Sequence, residues 1–382
     1  MAHRHGVSRR EFIQLSATFG MLAGLGEFKI ARAASDYKAL VCLFMFGGND
    51  GHNMVVPRGS AEYNAYKAVR GSLALPPTQL LDIVDPLQGA FGLHYAMPEL
   101  QALYNQGRMA VLANTGVLVK PTLVSDLSDP TFPVPLNLRS HADQVVEMQT
   151  AFTGSGGSSG WGGRTLDAVA AANAGTNFPV SIAMNTPALF CAGSVVQGAS
   201  LQPGNFLGQS AMGVYPPAAS QARLTAQQLV IGNDSGNTIV NAANGVMGTA
   251  LQLNPLLAQA AGSLTFTKKF PQTSIGSQLQ EVARIISLNS QLGVSRQVFF
   301  CSLGGFDTHG GQPYQQWDLL NQCSQALDAF YAATVQLGVQ DQVTAFTLSD
   351  FGRTLQPSGS GSDHGWGSHH LVLGGAVSGG RI

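Results

Sequence analysis

The chain has 382 residues, 45% hydrophobic and 11% charged, with a formal net charge of -1. That is ample apolar material for a large core, and a nearly neutral apolar chain is not a disordered one. Lysines are scarce and there is no basic excess, so the chain carries no nucleic-acid footprint.

The N-terminal stretch "SRREFIQLSATFGMLAGLGEFKIARAAS" has paired Arg9 and Arg10, then Phe12, then a mildly apolar run ending in Ala31-Arg32-Ala33. This pattern predicts a twin-arginine signal peptide over residues 1–33, cut near Ala33 or Ala34. The apolar part, Phe12 to Leu25, is too short and too glycine-broken for a stable membrane span. A periplasmic or extracellular location is therefore expected, with the twin-arginine translocase as partner during export. That route carries folded proteins, often with a cofactor in place, which hints at a metal.

Residues 34–382 are expected to form one α/β domain. Apolar runs of strand length recur at Ala39–Phe46, Met109–Asn114, Val180–Met184, Gln297–Leu303, Val343–Leu348 and His370–Leu373. Between them lie helical patterns at 97–107, at 140–152 with Ser140 placed as N-cap, and in "SIGSQLQEVARIISLNSQLG" and "PYQQWDLLNQCSQALDAFYAATVQLG". Strand–helix alternation with fully apolar strands predicts a mostly parallel sheet covered by helices on both faces. Two segments break the pattern. "GSGGSSGWGG" (154–163) reads as a flexible linker or lid, and the Gly/Asn/Gln-rich residues 192–262 read as an insertion or cap. Cys42 and Cys301 fall inside apolar runs, as buried thiols do; four cysteines allow three pairings, and nothing in the sequence chooses among them.

In an open parallel sheet, ligands bind beyond the carboxyl ends of the strands. Here those loops carry the chemistry. "GGNDGHN" holds Asp50 and His52, "GGFDTHGGQ" holds Asp307 and His309, and "SDFGRT" holds Asp350 and Arg353. "SGSGSDHGWGSHH" adds Asp363, His364, His369 and His370. Carboxylate oxygens with imidazoles are the donor set of hydrolytic metal sites, suited to zinc, manganese or calcium. Any single Asp beside a glycine is more often a turn former. Three such loops, each after a strand, point to a shared divalent-metal site.

"GGNDGHNMVVP", "RSHADQ", "WGGRTLD", "GGFDTHGGQ" and "SDFGRT…SDHGWGSHHLVLGGAVSGG" together resemble the exported bacterial family called domain of unknown function 1501. That family is similar in turn to the alkaline phosphatase and sulfatase superfamily. The resemblance implies a central mixed sheet between helices, one or two divalent metals, and an ester of phosphate or sulfate, small-molecule or glycan, as substrate. It also implies metal ligands at Asp50, Asp307, His309, Asp350 and His364, with His369 a second choice for the last. Ser140 stands where the superfamily has its nucleophile, at a helix N-terminus suited to an anionic oxygen. In this sequence Asp307 and His309 are closer together than the superfamily pattern, and Phe351 follows Asp350 where phosphatases carry His. The chain ends at "GGAVSGGRI", soon after an expected strand and where family members continue, which points to a truncated sequence, missing edge structure or a late strand.

Other readings stay open at several positions. Ser140 is either the nucleophile or only a cap. His141 is either a helix-surface residue or a further ligand. Arg353 is either an anion clamp or half of a structural ion pair, and Arg164 either binds an anion or pairs with Asp167. Function has a second reading too: a non-catalytic exported protein of the same fold that binds a metal, glycan or partner.

Overall fold

Six apolar runs of the sequence become strands of one sheet; the inner ones are largely buried on both faces and need cover on both sides, while the edge run Met109–Asn114 leaves Leu112 exposed. A computed structural model of the chain describes residues 36–154, 157–204 and 216–382. The leader with Arg9 and Arg10 lies outside the described residues.

The elements begin with β1 (Lys38–Met45), α1 (Gly51–Met54), β2 (Val55–Pro57), α2 (Ser60–Arg70), β3 (Leu80–Asp85), β4 (Gly89–His94) and α3 (Pro98–Asn105). There follow β5 (Met109–Thr115), α4 (His141–Thr150), α5 (Trp161–Ala168), β6 (Ser181–Met184), β7 (Ala199–Leu201), α6 (Pro217–Ile231) and α7 (Thr238–Ser263). The chain continues with α8 (Ser274–Ser287), β8 (Arg296–Leu303), α9 (Gln312–Gln336), β9 (Val343–Ser349), β10 (Arg353–Ser358), β11 (Gly361–His364) and β12 (Ser368–Leu373).

The main sheet has seven strands in the order β5-β12-β9-β1-β8-β6-β7. β1 is central, parallel to both β8 and β9, and β6 continues the parallel run to β7. Only β12 runs the other way, antiparallel to β9 and β5, so the sheet is mixed but mostly parallel. One face packs on α3, α8 and α9 through residues such as Leu100, Leu279, Ile286, Leu320 and Phe330. The other packs on α4 and α5 through Val145, Met148, Trp161 and Leu166.

Register sets the position of the site. Met45, the last residue of β1, lies opposite Leu303 of β8 and Ser349 of β9. All three strands therefore end at one rim, and the loops that carry Asp50, Asp307 and Asp350 leave from it together.

Two expectations change. Trp161–Gly163 are not part of a loose lid; they open α5. The Trp161 ring meets Phe190 edge-on at 4.6 Å and stacks on Phe346 at 5.4 Å. A side chain at Gly162 would run into the Phe190 ring, and one at Gly163 into the backbone of Ala192 and Gly193. These glycines therefore serve close helix packing. Ser155 and Gly156 of that stretch lie outside the described residues. Residues 192–262, in turn, contribute β7 to the sheet edge, while α6 and α7 pack on each other and α7 on α8. Neither the small antiparallel sheet β2-β4-β3 nor the β10–β11 hairpin was expected.

Three histidines are core residues. His94, His369 and His370 are 1%, 9% and 2% exposed. Burial pushes each imidazole down to about 4. Such a histidine binds its proton less tightly folded than unfolded. Its contribution to stability is complete above the unfolded value near 6.5 and is lost as the pH falls towards about 4. Unfolding near pH 5 is then expected to take up the three protons these groups refuse, a slope of about 4 kcal/mol per pH unit. Urea titrations between pH 5 and 6 measure it, and a flat profile would mean the three rings are accessible to protons in the fold.

Candidate metal centre

Four elements deliver the side chains. The loop after β8 carries Asp307 and His309, β11 ends on His364, the residue after β9 is Asp350, and α4 starts on His141. At the centre the three imidazole Nε2 atoms turn towards Asp307. His141 Nε2 lies 3.2 Å from His364 Nε2, and His309 Nε2 lies 2.9 Å from His364 Nε2. Asp307 Oδ1 is 2.9 Å from His309 Nε2 and 3.2 Å from His364 Nε2, and its Oδ2 is 3.5 Å from His141 Nε2. His141, Asp307 and His364 form the tight group, with donor atoms all within 4.8 Å of one another.

The other ring nitrogens decide what this cluster can do. His364 Nδ1 donates to the Arg139 carbonyl at 2.8 Å. His141 Nδ1 lies 2.7 Å from Asp350 Oδ2, and His309 Nδ1 lies 3.1 Å from Asp363 Oδ1. A carbonyl and ionised carboxylates only accept, so each Nδ1 carries the proton. In the neutral rings each Nε2 then presents a lone pair, and three lone pairs and a carboxylate face one another. That arrangement suits a cation, and oxygen partners on the far nitrogen are the usual supports of metal-bound histidine. Donors around one tetrahedral zinc sit about 3.3 Å apart at bond lengths near 2.0 Å, close to the spacings within the group of His141, Asp307 and His364, which His309 flanks through His364 and Asp307. The residues present therefore fit a divalent ion.

Electrostatics agree with this division of roles. Burial raises the Asp307 carboxyl, but the Arg353 hydrogen bond and charge, with His309 and His141, hold it below the usual range. It is the ionised ligand. Burial raises Asp350 above the usual range, offset in part by His141 and the Gly47 N–H. Asp350 Oδ1 and Oδ2 lie 3.1 and 3.2 Å from that N–H, so its carboxylate supports His141 from behind the centre. The Phe351 ring lies 4.7 Å from His141 and 4.8 Å from His364, forming an apolar wall.

Of the expected site residues, Asp50 falls elsewhere, Asp350 stands behind His141 and not among the ligand atoms, and Arg353 and Ser140 lie beside the centre in other roles. Asp50 is 2% exposed and points into the protein, not towards Asp307. Its carboxylate pairs with Arg70, accepts from Gln312 Nε2, and caps α1 through the amides of His52 and Asn53. The buried guanidinium of Arg70 satisfies it, so it does not join the ligand set. Arg353 has a fully buried side chain that donates to Asp307 Oδ1 at 2.7 Å and to Ser362. It orients a ligand and is not free to clamp an anion. Ser140 does begin α4, but its hydroxyl donates to Asp143 Oδ2 at 2.6 Å. Arg164 takes neither expected role: it ties Ser159 and Thr150 carbonyls, while Asp167 accepts the amides of Ser194, Val195 and Val196. His141 enters the centre as a donor, and Asp363, Arg139 and Arg70 gain roles that residue type alone did not assign.

An α/β chain with three imidazoles and a carboxylate converging at the carboxyl ends of a mostly parallel sheet is, in class, a candidate metalloprotein. It belongs to the family described as protein of unknown function (DUF1501), whose model matches residues 37–382. No curated protein matches the chain.

Removing Arg70 while leaving Asp50 strands a buried charge. Arg70→Met is expected to cost about 3–5 kcal/mol in urea unfolding. Adding Asp50→Asn should recover most of that loss. A single mutant as stable as wild type would show Asp50 to be hydrated.

Proposed function

We propose that this protein is an exported, metal-dependent hydrolase of phosphate or sulfate esters, of the alkaline phosphatase and sulfatase kind. The observation that carries the reading is the convergence of His141, His309, His364 and Asp307, each ring fixed from behind by an oxygen acceptor. A divalent ion in such a site supplies Lewis-acid activation of water and neutralises charge on ester oxygens. Asp307, held ionised by Arg353, and the three Nε2 atoms would bind it. His309 is the most open of the rings, its side chain 47% exposed, so the substrate side of the centre lies by it. Because the Ser140 hydroxyl is engaged by Asp143, water is the better nucleophile in this reading. Export by the twin-arginine route rests on the Arg9–Arg10 leader alone.

After chelation, adding Zn²⁺, Mn²⁺ or Ca²⁺ is expected to raise the melting temperature. The gain is about 2.7 kcal/mol at a hundredfold excess over the dissociation constant. His141→Ala and Asp307→Asn should lose it, and Asp350→Asn should weaken metal binding by about 10–100-fold. The loaded protein should turn over an aryl phosphate or aryl sulfate, and Ser140→Ala should keep that turnover. Metal binding without turnover of either ester would move the assignment to a non-catalytic metal protein.

A further inference from the structure

The centre holds three carboxylates, Asp307, Asp350 and Asp363, against the buried cation Arg353. With a divalent ion added it is close to neutral, so an anionic substrate needs another positive group. Among the described residues, three arginines stand beside the centre or behind it, and two are committed. Arg353 is tied to Asp307 and Ser362, and Arg70 to Asp50, Asn53 and the Thr354 and Leu355 carbonyls. The third is Arg139.

Arg139 is exposed, and its guanidinium has no partner among the described residues. Its backbone is fixed at the site, because its carbonyl accepts from His364 Nδ1 at 2.8 Å, and His141 follows two residues later. The Arg139 backbone is thus in direct contact with a residue of the centre. Its backbone is also unusual: φ is +75°, in the left-handed region that bulky residues rarely adopt. Such conformations persist where surrounding contacts impose them, often at functional sites. Here the carbonyl bond to His364 and the Ser140 N–H bond to the Asn137 carbonyl, 2.8 Å long, hold the turn. The next element, α4, offers its first amides with no side-chain cap, since the Ser140 hydroxyl is turned to Asp143.

We propose that Arg139 receives the tetrahedral oxyanion of the substrate, a phosphate or sulfate group, beside the metal centre. This rests on the hydrolase reading and names the group that binds the substrate's charge. The planar fork of arginine matches two oxygens of such a group, and a charge-assisted pair of this kind is among the stronger hydrogen bonds.

The test uses Arg139→Asn and Arg139→Gly, both of which tolerate the left-handed backbone, and Arg139→Lys, which keeps the charge. All three keep the carbonyl that supports His364, so metal affinity should equal wild type. Calorimetry on the metal-loaded proteins then reads binding of inorganic phosphate and, separately, inorganic sulfate, which tells the two oxyanions apart. The Asn and Gly variants are expected to bind the preferred oxyanion at least tenfold more weakly, with Lys between them and wild type. In turnover of the matching aryl ester, KM should rise by a similar factor, more than kcat falls. Unchanged oxyanion binding in the Asn and Gly variants, or no binding by loaded wild type, would overturn the assignment. Arg139-dependent oxyanion binding without any ester turnover would uphold Arg139 and remove the hydrolase reading instead.

Discussion

The centre depends on one constraint: the far nitrogen of each imidazole already has an oxygen acceptor. The Arg139 carbonyl admits no alternative, because it has no proton to give. The Asp363 and Asp350 carboxylates act the same way when ionised. With the three Nδ1 protons placed, each neutral ring presents its Nε2 lone pair, and a ring that takes a second proton there can donate it to Asp307 or to a neighbouring lone pair. Three imidazolium rings with facing nitrogens about 3 Å apart would repel strongly, more than one Asp307 could offset. In the proposed reading a divalent cation would take the place of such protons, with the geometry already in place.

The rest of the fold fixes where those rings can be. Parallel register brings three strand ends to one rim, and the polar interior holds the loops once they leave it. From Asp307 the contacts run to Arg353, then Ser362, whose hydroxyl donates to Gln312 Oε1 at 2.5 Å; Gln312 Nε2 donates to Asp50, which pairs with Arg70. The line joins the loop after β8, the β10–β11 hairpin, the start of α9, and α1 and α2. Buried ion pairs seldom add net stability against apolar packing of the same volume. Their value here is geometric. The contacts tie the hairpin that ends on His364 to the loop after β8 and to the start of α9.

Much of the sheet was legible in the sequence because its inner strands are apolar along most of their length. All six expected runs are strands, with ends shifted by a residue or two. β7 was hidden in a polar stretch of small residues, and β2, β3 and β4 alternate too weakly to stand out. The site was legible as a set of loops and less so as a set of ligands. Asp307, His309 and His364 converge as expected. Asp50 has the same local signature, an acid after a strand and two glycines, yet faces inward. The difference is Arg70, twenty positions on in α2, and sequence spacing does not reveal that a helix will bring a guanidinium back under α1. His141 had the opposite problem. A histidine at a helix start looks like a surface residue until its neighbours in space are known.

On the proposed metal reading, the close spacing of Asp307 and His309 and the Phe351 that follows Asp350 have a physical sense. Asp307 and His309 lie in one short turn, so both reach the same point instead of two separate ones. Where a second ion would want a histidine after Asp350, Phe351 lays its ring against His141 and His364. Asp350 itself is turned back to the Gly47 amide and His141, and Asp50 is held by Arg70. The donors a second ion would need are thus either apolar or engaged in the interior. In the proposed reading the tight group of His141, Asp307 and His364, with His309 beside it, would serve a single ion, and Arg139 would meet the charge the substrate brings.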